Sequence, residues 1–543
     1  MTNMLNTNMT LAEAFQQVAS SRLDQGALVC GEERFTYGQL LERVDGVVLC
    51  LSEIDIGKGD KVICLLPPGP EFISLFFAVA RLGGVFIPLN PRIRPRGFRD
   101  VLQEVEPAVV VSHLRLDEDL STQLEGIRHL TFTDLEGDGI DPPQTTSQQE
   151  ISQVSSDDLL TLLFTSGTTG KPKGTMHSHR SLIAPVVASI KLRELWIKKP
   201  TIMSLGQSVK ALARYRTRLL RAVGKPQTFL STAGWHTVTG LEIMLQALLM
   251  GDRLVVMPRF HPREALQLIE RERVTVLIAV PMALQVMLSV EGFEQFDTSS
   301  LLICGTGAAP CPPALAQEVQ DRFGCAIHIG FGATETGGGI SATSIADSNE
   351  RQAETVGQPM PGMEVRIVDE RRRELPPGQV GELACRSDSV MLGYFGAPEE
   401  TAEVLDEDGW YYTGDLAMID DKGYLRIVGR LNDMIIRGGQ NIYPVEIESV
   451  LASHPRVREV AVLGVPAPMG GEKVWAYVIP ESNVGLTPGE VLAFCREEFE
   501  PYKIPSRVEL VDDFPRSENG KPQKYVLRNR AIRMEKETND NDK

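Results

Sequence analysis

The chain lacks the usual marks of a secreted, membrane-embedded or nucleic-acid-binding protein. Its eight cysteines, Cys30, Cys50, Cys64, Cys304, Cys311, Cys325, Cys385 and Cys495, form no C-x-x-C pair and fall mostly in apolar runs. That scatter argues for buried, reduced thiols in a cytoplasmic protein, and against a disulfide frame or a zinc site. Positive charge is in short supply: 55 Lys and Arg face 72 Asp and Glu, a net charge of -17. General nucleic-acid binding is therefore not expected, and any phosphate site must be a local exception. The first ten residues are polar, with neither the charged nor the apolar region of a secretory signal, so none is expected. No long hydrophobic run is present either. The most apolar stretch, Phe72 to Leu89, is broken by Arg81, Gly83, Gly84 and Pro88, and reads as a buried helix followed by a strand.

What is present is an alternation. From Leu11 to Ser112 helical patterns alternate with short β-branched runs: Phe35-Thr36-Tyr37 opens a helix, while Lys61 to Leu66 and Ala108 to Ser112 read as strands. Such alternation predicts α/β layers around a buried, largely parallel sheet, and 543 residues predict at least two domains. After a polar segment near Asp141 to Asp157, Leu159 to Phe164 predicts another buried strand. It runs into Thr165-Ser166-Gly167-Thr168-Thr169-Gly170-Lys171-Pro172-Lys173-Gly174, which predicts a loop. Gly167, Gly170 and Gly174 let backbone N–H groups turn inward toward an anion, the hydroxyls add donors, and Lys173 adds charge. This is not a Walker loop, because Pro172 stands where the second glycine would be required.

The loop resembles the signature of the adenylate-forming (AMP-binding) superfamily, which holds acyl-CoA synthetases, peptide-synthetase adenylation domains and firefly-type luciferases. Thr165 to Gly174, followed by His179, matches it almost residue for residue, and later motifs extend the likeness over nearly the whole chain. The resemblance implies a large N-terminal multi-layer α/β domain at 1–430 that binds ATP and the acyl group. It also implies a hinge at 431–433 and a small mobile α+β domain at 434–543.

The same resemblance assigns roles. Thr165, Ser166, Gly167, Thr168, Thr169 and Lys173 would hold phosphates. In Gly330-Phe331-Gly332-Ala333-Thr334-Glu335-Thr336, Phe331 would stack on adenine, Thr334 would bind the α-phosphate and Glu335 would hold Mg²⁺. A flat ring, a hydroxyl donor and a hard carboxylate oxygen suit those tasks. Gly307, Ala308, Gly332, Ile427 and Arg430 join the nucleotide-binding set. Asp415, in Tyr412-Thr413-Gly414-Asp415, would grip the ribose hydroxyls. Ile329 departs from the polar residue often found two positions before the aromatic, which leaves adenine to be read there by backbone groups. Trp235 and His236 would border the acyl pocket, with Gly307, Ala308, Gly337, Gly338 and Gly339 lining it. Small residues leave volume for a bulky or elongated apolar acid, though glycines serve tight turns equally. No Asp lies between Gly234 and Gly240, so an α-amino acid substrate is not expected.

In the C-terminal part, Asp420 to Gly423 predicts a hairpin turn, and Asn432 takes the hinge position usually filled by Asp or Lys, with Asn tolerant of left-handed geometry. Gly438 and Gly439 would line the pantetheine tunnel. Lys521, after Asn519-Gly520, is the lysine of the adenylation step. The charged tail from Glu535 to Lys543 reads as unstructured. Within the basic 191–225 segment, Ser208 to Val223 predicts a helix with Lys210, Arg214, Arg218, Arg221 and Lys225 on one side. That stripe is either a solvated face or an attractor for the phosphates of coenzyme A or an acidic carrier protein.

The activity implied is ATP- and Mg²⁺-dependent joining of a hydrophobic carboxylic acid to coenzyme A through an acyl-adenylate, the chemistry of fatty acid metabolism. Lys521, Thr334, Glu335 and His236 form the expected catalytic set. Loading of an acyl-carrier protein, or a luciferase-type oxidation, is the alternative, and a homodimer is one open arrangement.

Overall fold

The computed structural model describes residues 5–113, 116, 118–136, 153–166, 172–198, 225–309, 311–345, 347–437, 440–467, 471–481, 485–516 and 522–541. Gly167 to Lys171, the predicted Ser208–Val223 helix, Gly438, Gly439 and Lys521 lie outside them.

The contacts divide the chain into two compact units, one of Met1–Glu364 with Cys385–Tyr411, the other of Val365–Ala384 with Tyr412–Lys543. In this division residues 365–384 and 412–430, which the sequence reading places before its boundary at 431–433, fall with the second unit.

In the first unit the alternation in sequence becomes two large sheets among the described residues, of nine and seven strands. Lys61–Leu65, Val85–Pro88 and Val109–Ser112 pair in parallel, as the β-branched runs predict. Their side chains are buried on both faces, the condition for near-continuous apolar strands. The apolar stretch near Phe72 is the helix Pro70–Leu82, stopped by Gly83 in left-handed geometry, and is followed by the strand Val85–Pro88. Phe72 and Phe76 pack edge-on to Phe86, each at 5.2 Å between ring centroids. Complete burial of one such side chain stabilises the fold by about 2–3 kcal/mol. Thr36 closes a capping box with Gln39 at the start of the helix Tyr37–Glu53, the start that Phe35-Thr36-Tyr37 predicts.

The second unit contains most of a four-stranded sheet, a two-stranded ribbon (Ile435–Arg437, Gln440–Ile442) and a three-stranded sheet (Val457–Pro466, Glu472–Pro480, Arg507–Leu510). The hairpin turn predicted at Asp420 to Gly423 joins Tyr411–Ile419 to Leu425–Arg430, with Ile419 opposite Leu425. The unstructured reading of the tail is corrected: the helix Lys524–Asn541 runs through most of it. Its Leu527 and Ala531 are buried in the cluster around Trp475 and Tyr477, and Lys473 Nζ bonds to Glu535 Oε2 at 3.0 Å. Tertiary packing supplies the order that a charged, low-hydropathy segment lacks by itself.

All eight cysteines are free, and burial pushes the Cys64 and Cys385 thiols up to about 12. Among the described residues no helix is long and apolar enough to cross a membrane.

Candidate active site

The signature segment forms a β-hairpin. The strand Leu159–Ser166 extends two residues past Phe164, and Pro172–Ser178 returns antiparallel, with Thr165 opposite Lys173 and Ser166 opposite Pro172. The loop reading is thereby corrected for Thr165, Ser166, Lys173 and Gly174, whose backbones belong to strands. Ladder pairing holds even the glycine: a Cβ on Gly174 would stand 3.2 Å from the Phe164 ring.

Alternation along the return strand puts Lys173, Thr175 and His177 on one face. Lys173 Nζ pairs with the Glu400 carboxylate and lies 5.2 Å from the centroid of the Tyr394 ring. Thr175 is fully buried, and its hydroxyl has no hydrogen-bond partner. The buried His177 donates from Nε2 to the Thr334 carbonyl at 2.8 Å, with Nδ1 3.2 Å from the Ser181 hydroxyl. Burial lowers its pKa to about 4, so the ring is neutral at pH 7. His179, also in the signature, is likewise buried and accepts from the Leu11 N–H at 3.1 Å; its place is structural.

The strand Ala326–Ala333 delivers Phe331 and Gly332, and a single 3₁₀ turn, Thr334–Thr336, follows. Thr336 fixes that turn, its hydroxyl bonding the Ala333 carbonyl at 3.0 Å and the Gly338 carbonyl at 2.8 Å. Tyr394 donates to Glu335 Oε1 at 2.9 Å, while the Met391 N–H donates to the Glu335 carbonyl at 2.8 Å. Burial and the neighbouring Glu335 push the Tyr394 phenol pKa well up, so it remains a donor. Tyr394 thus touches both Lys173 and Glu335. Gly393 and Tyr394 pair with Met176 and Thr175 across the sheet, a contact between segments more than two hundred residues apart. Neither Tyr394 nor His177 was expected from the sequence; the weak signals were a buried-strand histidine within the signature and an aromatic beside Gly393.

Next to this turn, Gly307 and Ala308 leave the strand Ile303–Thr306, and the buried Thr306 hydroxyl has no hydrogen-bond partner. Ala308 has φ +63, a left-handed geometry that is uncommon for alanine. A Cβ on Gly307 would lie 2.7 Å from the Gly330 carbonyl, so close strand packing requires glycine there. The same holds for Gly337, whose Cβ would meet the Ser389 carbonyl at 2.9 Å, and for Gly338, whose Cβ would overlap the Glu242 carboxyl. Close packing thus accounts for both glycines. Gly339 is more open, with Met360 Cγ at 3.9 Å.

Trp235 is 3% exposed and packs in the main core, 5.3 Å edge-on from Phe72. His236, only partly buried, precedes Thr237, the N-cap of the helix Val238–Leu249.

In the second unit, Asp415 is 4% exposed and its Oδ1 accepts from Arg430 Nε at 2.8 Å, across the paired positions 415 and 430. The Asp415 N–H donates to the Thr413 hydroxyl at 3.0 Å, and that hydroxyl donates to the Leu383 carbonyl at 2.9 Å. Ile427 lies opposite Ala417 in the same hairpin. Asn432 occupies a 3₁₀ turn, Leu431–Asp433, and is not among the non-glycine residues with positive φ. The left-handed freedom of its residue type is therefore not in use.

Among the described residues no group of three or more His, Cys, Asp or Glu could hold a metal. The donors fit a hard cation only if it shares Glu335 with ligand oxygens, the usual mode for Mg²⁺ beside phosphates. The Lys173 ammonium, once released from Glu400, and the Glu335 carboxylate suit a polyphosphate with such a cation.

Comparison with known proteins agrees with this geometry. The family model of the AMP-binding enzymes matches residues 15–395, and that of the AMP-binding enzyme C-terminal domain matches residues 446–521. Feruloyl-CoA synthase of Amycolatopsis is 32% identical over 92% of this chain and 94% of its own length. Medium-chain fatty-acid–CoA ligase of Escherichia coli is 30% identical over 96% of this chain and 91% of its own. The crystal structure of ATP-bound MatB from Rhodopseudomonas palustris superposes with a TM-score of 0.81 at 27% identity, covering 96% of this chain and 99% of that one. The chain belongs to the AMP-binding enzyme family, in its acyl-CoA synthetase branch of AMP-forming acid–thiol ligases.

Proposed function

We propose that this chain joins a hydrophobic carboxylic acid to coenzyme A at the expense of ATP, with Mg²⁺, and that its own residues work mainly by positioning and charge neutralisation. The observation that carries the reading is the convergence on Tyr394: its ring meets Lys173 from the signature hairpin, and its hydroxyl holds Glu335. His177 fastens the same hairpin to the Thr334 carbonyl. An ammonium, a carboxylate and the Thr334 hydroxyl thereby share one framework within the first unit.

In this reading the substrate carboxylate attacks the α-phosphorus of ATP, giving an acyl-adenylate and pyrophosphate. Lys173 and the hairpin hydroxyls bind the phosphates, Thr334 donates to the α-phosphate and Lys521 neutralises the charge that develops between carboxylate and phosphorus. Mg²⁺ on Glu335 would screen the leaving pyrophosphate. No enzyme nucleophile is required, since the substrate carboxylate is one already. The thiol of coenzyme A then attacks the acyl carbon and AMP departs. For that step Lys521 withdraws, Gly438 and Gly439 provide a narrow thiol path, and the chain turns near Asn432. Asp415 would grip ribose, Phe331 would face adenine, and His236 would border the acid. The relatives support a hydrophobic acid, one aromatic and one aliphatic by name.

The experiment is a screen of acids of varied length and ring content, measuring AMP and pyrophosphate release and thioester formation with coenzyme A. AMP formation with saturable dependence on free coenzyme A is expected. Turnover only with an acyl-carrier protein would move the acceptor assignment, and an absence of AMP with every acid would end the reading.

A further inference from the structure

We infer that Glu400 is a positioning residue for the nucleotide step: its carboxylate stands in for phosphate on Lys173 in the resting protein, so that a polyphosphate displaces it on entry and yields to it on departure. The inference rests on the ligase reading above, in which Lys173 binds the phosphates of ATP.

Two groups meet the Lys173 ammonium, and they differ in kind. The Tyr394 ring, with its centroid 5.2 Å away, attracts the charge through its π-face and leaves the N–H donors to others. Glu400 supplies a full negative charge and accepts from the ammonium. A carboxylate oxygen offers an ammonium what a phosphate oxygen offers, a charged acceptor at hydrogen-bond length. The two therefore compete for one group.

Glu400 is also held in place for that contact. It lies in the first turn of the helix Pro398–Val404, and the next residue but one into that turn ties the helix to the strand Gly393–Tyr394. There the Thr401 hydroxyl accepts from the Tyr394 N–H at 2.9 Å and donates to the Ala397 carbonyl at 2.8 Å. A Cβ on Gly393 would stand 2.7 Å from Thr401 Cγ2, so helix and strand are closely packed. The backbone that carries Glu400 is thus fastened to the residue whose ring faces Lys173.

The pair is nevertheless easy to open. The Lys173 side chain is 29% exposed and that of Glu400 48%, so water can solvate whichever group is released. Exposed pairs of this kind shift an equilibrium by about fivefold at most. Arg193 and Asp252 in the same unit show the contrast: that carboxylate is 1% exposed and takes a second bond, from the Gln227 N–H at 2.7 Å, which makes the pair structural. A triphosphate brings several charges to Lys173 against one on Glu400. It wins the exchange at the loss of a fraction of its affinity, and the carboxylate stands ready when pyrophosphate leaves.

The test compares Glu400→Gln with Glu399→Gln, a neighbour in the same exposed turn that has no ion pair among the described residues. With the full chain at low ionic strength, where such pairs are least screened, calorimetry gives the Kd for Mg·ATP and AMP release gives the inhibition constant of pyrophosphate. Glu400→Gln is expected to lower both constants by about threefold to fivefold with kcat within twofold, and Glu399→Gln to leave both unchanged. A merely structural role would not tighten binding. Unchanged or weaker Mg·ATP binding in Glu400→Gln overturns the inference, and so does an equal gain in Glu399→Gln, which would make the effect one of net charge; both outcomes leave the ligase reading intact. No AMP from wild type with any acid overturns that reading instead.

Discussion

The candidate regions of the two units are held in different ways. Around Thr334 and Glu335 each backbone or carboxyl contact has a second brace: His177 on the Thr334 carbonyl, Thr336 across the turn, Tyr394 and Met391 on Glu335. Around Asp415, in the second unit, the carboxylate pairs with the exposed Arg430, which leads directly into the 3₁₀ turn at Asn432. A region proposed to hold phosphate geometry needs redundancy, and a region proposed to turn needs few bonds to break.

Removing the charge that the moving part is proposed to deliver should have the largest effect. Lys521→Ala is expected to cut pyrophosphate release by about 10²–10³, the usual worth of one electrostatic donor, while thioester formation from pre-made acyl-adenylate persists. Equal loss of both half-reactions would break the contrast. In the braced region, Glu335→Gln should lower kcat/KM for Mg·ATP by about 10² with the melting temperature nearly unchanged. Next comes the linker: Asn432→Pro fixes φ, and should slow the coenzyme A step by about tenfold while sparing the adenylation step. Tyr394→Phe deletes one brace and keeps the ring over Lys173, so a loss of only about fivefold in adenylation rate is expected.

The smallest effect is on stability. The folded pKa of His177, about 4, lies below its ordinary value of 6.5, so the unfolded chain binds the proton more readily. Its contribution is complete above pH 6.5 and is lost as pH falls toward 4. Between pH 6 and pH 5 that amounts to about 1 kcal/mol, which urea melts of wild type and His177→Gln should resolve as a shallower pH slope in the variant.

Much of this site was legible in sequence because its chemistry is written in contiguous motifs: hydroxyls and glycines after Phe164, Thr334-Glu335 after Phe331, Asp415 after Gly414. Tyr394 and Glu400 were not, since each gains its meaning from a partner far along the chain, Lys173 and Glu335 for one and Lys173 for the other. The hairpin reads as a loop in the sequence because glycine and proline dominate local propensity, whereas ladder pairing with the preceding strand decides the backbone. The acyl-pocket glycines were ambiguous for a similar reason. A missing side chain reads alike whether it leaves room for a ligand or for a neighbouring carboxyl.

The ring of Tyr394 also acts as an insulator. Lys173 meets its π-face and Glu335 meets its hydroxyl, so two opposite charges share one residue without collapsing into an ion pair. Had a short aliphatic side chain stood there, cation and anion could cancel each other in the resting protein. With the aromatic spacer between them, Glu335 keeps its carboxylate for a counter-ion, while Lys173 rests on Glu400 until an incoming polyphosphate competes for it.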